Sequence, residues 1–202
     1  MKKLRFAQFL MLTISLIVFL SGCSRANRSL NGSPYDPPRP APDLELLTMT
    51  GEPFSLSDDR GKIVLVYFGY TYCPDICPTT LAEVKLVFEE LGDRAEDINL
   101  IMVTVDPERD TPGVLQTYLN RFHPRFLGLW GEGRQLEDVM AAYGVFAQKE
   151  PSDDPDQYLV SHTARLFLID QQGYLRTNYS FGTPREEILS DLTLLLDEEN
   201  QQ

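Results

Sequence analysis

From Lys62 to Gly69 the chain reads KIVLVYFG, a nearly unbroken apolar and β-branched run. A strand with one wet face would alternate, so such a run predicts a strand covered on both faces, as in parallel sheets. A second run of the same character, INLIMVTVD, spans Ile98 to Asp106. Between them Leu81, Val84, Phe88 and Leu91 recur at spacings of three and four. That period places them on one helical face, and Gly92 supplies the stop. The pattern predicts a βαβ unit.

Elements on either side extend it. LELLTMTGEPFSL, from Leu44 to Leu56, has a Gly-centred turn between two short strand-like pieces and predicts an N-terminal hairpin. PGVLQTYLNRF predicts a helix opened by Pro112, and RQLEDVMAAYG a helix ended by Gly144. From Ala164 to Gly182, ARLFLID and YLRTNYSFG flank Q-Q-G and predict an antiparallel hairpin. A last helix starts near Pro184 and runs through ILSDLTLLLDEE. The order hairpin, β, α, β, α, α, β, β, α indicates an α/β layered domain. It is the element order of a thioredoxin-like fold with an N-terminal β-hairpin extension and an inserted helical segment.

The first residues fall outside that pattern. MKKLRFAQFLMLTISLIVFLSGC has Lys2, Lys3 and Arg5, an apolar run from Phe6 to Leu20, then small residues before Cys23. These are the parts of an export signal over residues 1–22. The run is about 15 residues long, short of the roughly 20 that a spanning helix needs. L-S-G-C resembles a bacterial lipobox, which makes Cys23 the expected lipidation site; the alternative is an uncleaved anchor with Cys23 a plain thiol. Either places the domain on the extracytoplasmic, periplasmic side, tethered to a membrane. Residues 23–42 are rich in Pro, Ser and Asn and lack apolar periodicity, so a semi-extended tether is expected there. Residues 43–202 then form one domain.

The whole chain carries a formal charge of −12, and the leader is basic, so the domain is more acidic still. Phosphates would be repelled, which excludes nucleic acid as a partner class.

Chemistry concentrates between Tyr70 and Leu81, YTYCPDICPTTL. Of three cysteines in the chain, Cys73 and Cys77 remain beyond the leader. A disulfide across so short a segment removes little loop entropy, so the pair is read as kept for reactivity rather than stapling. The compartment is one in which such dithiols tend to oxidise. Cys77 lies near the start of a helix that Pro78 helps to open, where backbone N–H groups and the helix dipole favour thiolate. Redox exchange and soft-metal binding both remain open on this ground. There are two histidines. His123, in RFHPRF, reads as an exposed loop residue. His162 immediately precedes the strand ARLFLID, whose start lies beside the dithiol in a thioredoxin-like sheet. Two thiolates favour Cu(I), and imidazole also suits Cu(II), so Cys73, Cys77 and His162 form a candidate three-ligand copper site; the alternative for His162 is a histidine bonded locally at the strand entry. Asp106 emerges at the same strand edge, where a carboxylate either favours a nearby copper ion electrostatically or orients the loop by hydrogen bonds; the alternative is that Asp106 and Asp110 cap the loop and following helix. Asp75 reads as solvent-facing and Trp130 as core.

YTYCPDICPTTL, TVDPERDTP (Thr104–Pro112) and SHTARLFLID (Ser161–Asp170) resemble the three signature stretches of the Sco/SenC family, in the same order and spacing. These are thioredoxin-fold copper chaperones of cytochrome c oxidase assembly. The resemblance implies that Cys73, Cys77 and His162 bind copper, and that the partner is the subunit bearing the oxidase's dinuclear copper site. Copper delivery to that site, or reduction of its cysteines, is the implied role. Other copper chaperones and thioredoxin-like reductants are further expected partners. Many members have an acidic residue just before the histidine, where this chain has Ser161. The competing classes are a thiol–disulfide oxidoreductase, with Cys73 as nucleophile and Cys77 as resolving thiol, and a copper or redox sensor.

Overall fold

The computed structural model describes residues 29–154 and 157–199. Its strands are β1 (Ser33–Pro40), β2 (Leu46–Thr48), β3 (Pro53–Phe54), β4 (Ile63–Gly69), β5 (Ile98–Thr104), β6 (Leu127–Trp130), β7 (Ala147–Lys149), β8 (Val160–His162), β9 (Arg165–Ile169) and β10 (Tyr174–Ser180). Its α-helices are α1 (Ile76–Leu91), α2 (Pro112–Leu119), α3 (Gly133–Tyr143) and α4 (Arg185–Glu199). Eight strands form one sheet in the order β1-β10-β9-β4-β5-β6-β2-β3, and β7 and β8 form a separate two-stranded ribbon. β4, β5 and β6 run parallel, β9 runs antiparallel beside β4, and β10 pairs antiparallel with β9. This is the expected α/β architecture, with the βαβ unit at its centre and the β2–β3 hairpin joined through β6.

Every residue of β4 is buried, as an apolar run covered on both faces requires. Successive strand residues point to opposite faces. Tyr67 faces α1, where it meets Cys77. Phe68 packs on the other side against Tyr143 of α3 and Phe167 of β9. Helices thus cover both faces of the sheet, and α4 packs beside α1.

Three elements depart from the sequence reading. Residues 33–40 are not free tether: they form β1, paired antiparallel with β10. A proline-rich segment is tolerated there because an edge strand pairs on one side only. Its register breaks between Pro34 and Arg39. Side chains from distant elements compensate for the lost ladder bonds. Buried Asp191 of α4 accepts from Asn31 N at 2.9 Å and Asn31 Nδ2 at 2.8 Å, and Thr177 Oγ1 donates to Asn31 O at 2.8 Å. The strand β6 interrupts what reads as two consecutive helices; it is four residues long, too short for a periodicity signal. The ribbon β7–β8 is shorter still, with three residues in each strand. The export signal and Cys23 lie outside the described residues. Among those described, no helix is long and apolar enough to cross a membrane.

Candidate metal centre

β4 ends at Gly69, and the chain turns through Tyr70–Asp75 into α1. The turn is held by Cys73 N–H donating to Tyr70 O at 3.3 Å. Cys77 sits in the first turn of α1, wholly buried, and Cys73 is half-buried beside it. Asp75, exposed as expected, is the N-cap residue but caps no N–H with its side chain. The free N–H groups of that first turn are therefore available to a sulfur. Cys77 N–H takes this option and donates to Cys73 Sγ at 3.4 Å.

His162 arrives from the end of β8, 85 residues after Cys77, and its Nε2 lies 3.5 Å from Cys77 Sγ. The ligand atoms of Cys73, Cys77 and His162 all lie within 4.8 Å of one another. Two tyrosine rings meet the imidazole edge-on, Tyr70 at 5.7 Å and Tyr67 at 6.4 Å between centroids. The other ring nitrogen, Nδ1, is buried without a hydrogen-bond partner. Two sulfurs and an imidazole nitrogen at this separation are a donor set for a soft or borderline transition metal such as copper.

The sulfurs are not equivalent. Both cysteines are free thiols. Cys73 is held well below an ordinary thiol pKa, first by a hydrogen bond from the Cys77 side chain. Partial burial opposes this, while His162 and the N–H groups of Cys77 and Asp75 reinforce it. Cys77 is pushed up, first as the donor to Cys73 and then by burial. The pair thus shares one proton, with thiolate at the more open position.

Asp106 is not among the clustered ligand atoms. It is buried, and its oxygens accept from Arg109 Nε at 2.6 Å and Tyr158 Oη at 2.7 Å. The Arg109 guanidinium lies 3.5 Å above the Tyr158 ring. Tyr158 stands two residues before β8, so its bond to Asp106 fastens the ribbon that carries His162. Tyr70 Oη adds a second fastening by accepting from Val160 N–H at 3.2 Å. Asp110 does not cap the following helix. Thr111 does, accepting from Val114 N–H at 3.4 Å. Asp110 is fully buried and accepts from Thr71 N–H at 3.0 Å, Thr71 Oγ1 at 2.5 Å and Thr104 Oγ1 at 2.7 Å. It pins the start of the cysteine loop to the end of β5, and burial pushes its pKa up.

Gly69 is a requirement the sequence reading missed. A Cβ there would lie 2.6 Å from Tyr67 Cε1 and 3.0 Å from Cys77 Sγ. Only glycine at the strand end leaves the sulfur its place, and the G between two aromatic residues in YFGY is the signal that could have shown it. His123 stays away from the centre, packed against Phe88 and Phe126 with Nδ1 accepting from Arg125 N–H. It is partly buried rather than exposed. Trp130 is half-buried, and its Nε1–H reaches Pro107 O at 3.4 Å. Ser161 has an acidic neighbour from across the ribbon, since its Oγ donates to Glu150 Oε1 at 2.5 Å.

A family model described as SCO1/SenC matches residues 34–197. A SCO2-like protein of Rickettsia felis is 41% identical over 146 residues, 71% of each chain. Among solved structures, ScoI of Bradyrhizobium japonicum with copper bound is 35% identical, with a TM-score of 0.70 over 77% of this chain and 98% of that one. The apo Sco1 protein of Thermus thermophilus is 39% identical, with a TM-score of 0.75 over 84% of this chain and 99% of that one.

The inequality of the two sulfurs predicts a labelling pattern. In the reduced protein iodoacetamide should modify Cys73 and spare Cys77. Because a lowered pKa preserves thiolate as pH falls, the Cys73 rate at pH 6 should stay within about threefold of its value at pH 8. An ordinary thiol, with a pKa near 8.5, would slow by about two orders of magnitude over that interval. A decade of rate lost per pH unit would contradict the assignment.

Proposed function

The chain belongs to the SCO1/SenC family, and on that premise we propose that it is a membrane-tethered, extracytoplasmic copper-binding protein that prepares the dinuclear copper site of cytochrome c oxidase. Cys73, Cys77 and His162 hold one copper ion, which is the protein's cargo. The observation that carries the reading is the convergence of these three soft and borderline donors within 4.8 Å on otherwise separate elements. Three donors leave a copper ion open to a further ligand, so a partner thiolate can bind before the donor set lets go. Transfer by ligand exchange follows from that incomplete coordination, and the half-buried Cys73 is the side from which a partner sulfur enters.

The thiolate at Cys73 beside a protonated, buried Cys77 also favours a second reading, reduction of the partner's cysteines. Cys73 sulfur attacks one sulfur of a partner disulfide, and the other leaves as thiolate. Cys77, losing its proton, then attacks the mixed disulfide. The partner gains two thiols, one proton coming from Cys77 and the other from solvent, and Cys73 and Cys77 end joined by a disulfide. Attachment to the membrane runs through a lipid on Cys23.

Titrating the reduced protein with Cu(I) and Cu(II) tests the first reading. We expect about one copper per chain, Cu(II) binding weakened severely by His162→Ala, and a larger loss from changing either Cys73 or Cys77. Unaltered binding of both copper states by His162→Ala, together with brisk disulfide exchange, would transfer the function to the oxidoreductase reading. For the anchor, metabolic labelling with palmitate should mark the wild-type protein and not Cys23→Ala; label retained in that variant removes the lipoprotein.

A further inference from the structure

Tyr67 lies in the middle of β4 and is 1% exposed, yet it carries a hydroxyl at a position phenylalanine would fill without a polar atom to satisfy. The hydroxyl donates to Cys77 Sγ at 3.4 Å. A neutral thiol is a weak acceptor, whereas a thiolate accepts far more strongly. The bond is therefore worth most in the state in which Cys77 would ligate a metal.

Packing enforces this pairing. Gly69 points to the same face two residues on, and its missing Cβ is what lets ring and sulfur approach. The ring also stands edge-on to His162. Cys73, by contrast, is half-buried and receives its backbone hydrogen bond from Cys77 N–H. One sulfur is thus fixed by a phenol deep in the sheet, and the other by the first turn of a helix near the surface.

We propose that Tyr67 is a positioning residue for the copper centre. Its hydroxyl fixes the direction of the Cys77 sulfur and draws electron density from it, so that the centre favours Cu(I) over Cu(II). This rests on the reading of Cys73, Cys77 and His162 as copper ligands. Hydrogen bonds to a ligating sulfur are an established lever on metal redox potential. Less electron donation from sulfur destabilises the more highly charged ion. It also raises the energy of the thiolate-to-Cu(II) charge transfer.

Tyr67→Phe in the full chain removes the donor and keeps the ring. Four quantities are read on wild type and variant: copper stoichiometry, the position of the charge-transfer band, the Cu(II)/Cu(I) potential, and the unfolding midpoint without metal. The variant should bind copper in the same stoichiometry, with the band at longer wavelength. Its preference for Cu(I) should fall about tenfold, which for a one-electron couple is about 59 mV. A purely structural hydroxyl would move the unfolding midpoint and leave band and potential in place, and that result overturns the proposal. 3-Fluorotyrosine at position 67, a stronger donor of nearly the same shape, should move band and potential the opposite way. It decides the matter if Tyr67→Phe fails to fold, since unchanged values there also overturn the proposal. Failure of the underlying reading looks different: wild type and His162→Ala would then bind copper alike, or not at all.

Discussion

A sulfur atom has to sit, wholly buried, beneath the carboxyl end of β4, and much of the surrounding structure is arranged around that requirement. Gly69 leaves the space, and Tyr67 supplies the hydrogen bond from below. α1 begins at Ile76, so that Cys77 falls in its first turn. A sulfur placed there is backed by the first turn of α1 and held by the Tyr67 hydroxyl. It has one direction left in which to meet other donors, and Cys73 and His162 lie in that direction. Displacing Cys77 Sγ by a single methyl group at residue 69 would disturb every one of these contacts.

The other two donors come from segments with little structure of their own. The loop before α1 and the β7–β8 ribbon would each be mobile if judged by their local ladders. Both are tied to one place, the end of β5. Asp110 takes three hydrogen bonds from Thr71 and Thr104, and Asp106 takes those of Arg109 and Tyr158. Buried carboxylates are costly unless fully partnered, and these two are partnered by the segments they must hold. The stretch TVDPERDTP is therefore a clamp for both halves of the site. Holding donors in place before a metal arrives lowers the ordering cost of binding it.

Long buried runs made the parallel core legible, because β4 and β5 cannot be anything but two-sided strands. The positions of Cys73, Cys77 and His162 were legible for the same reason: each adjoins a strand whose place in the sheet the pattern settles. The elements that escaped are those whose pairing depends on distant side chains. β1 has no apolar rhythm and is held by Asn31, Asp191, Thr177 and Asn178, residues that no local window brings together. β8 is three residues long and exists because Tyr70 and Tyr158 dock it. From sequence Asp110 reads as a cap for the loop and following helix. Its burial follows from the tertiary fold and from nothing in the neighbouring sequence. Gly69 reads as the end of a strand until the sulfur behind it is in view.

X-ray absorption at the copper edge of the loaded protein tests the central claim most directly. Copper bound by two sulfur atoms and one imidazole nitrogen, with the nitrogen signal lost in His162→Ala and one sulfur lost when Cys73 is changed to Ser, is the predicted result. A metal surrounded by oxygen and nitrogen alone, or a spectrum untouched by either substitution, would contradict it.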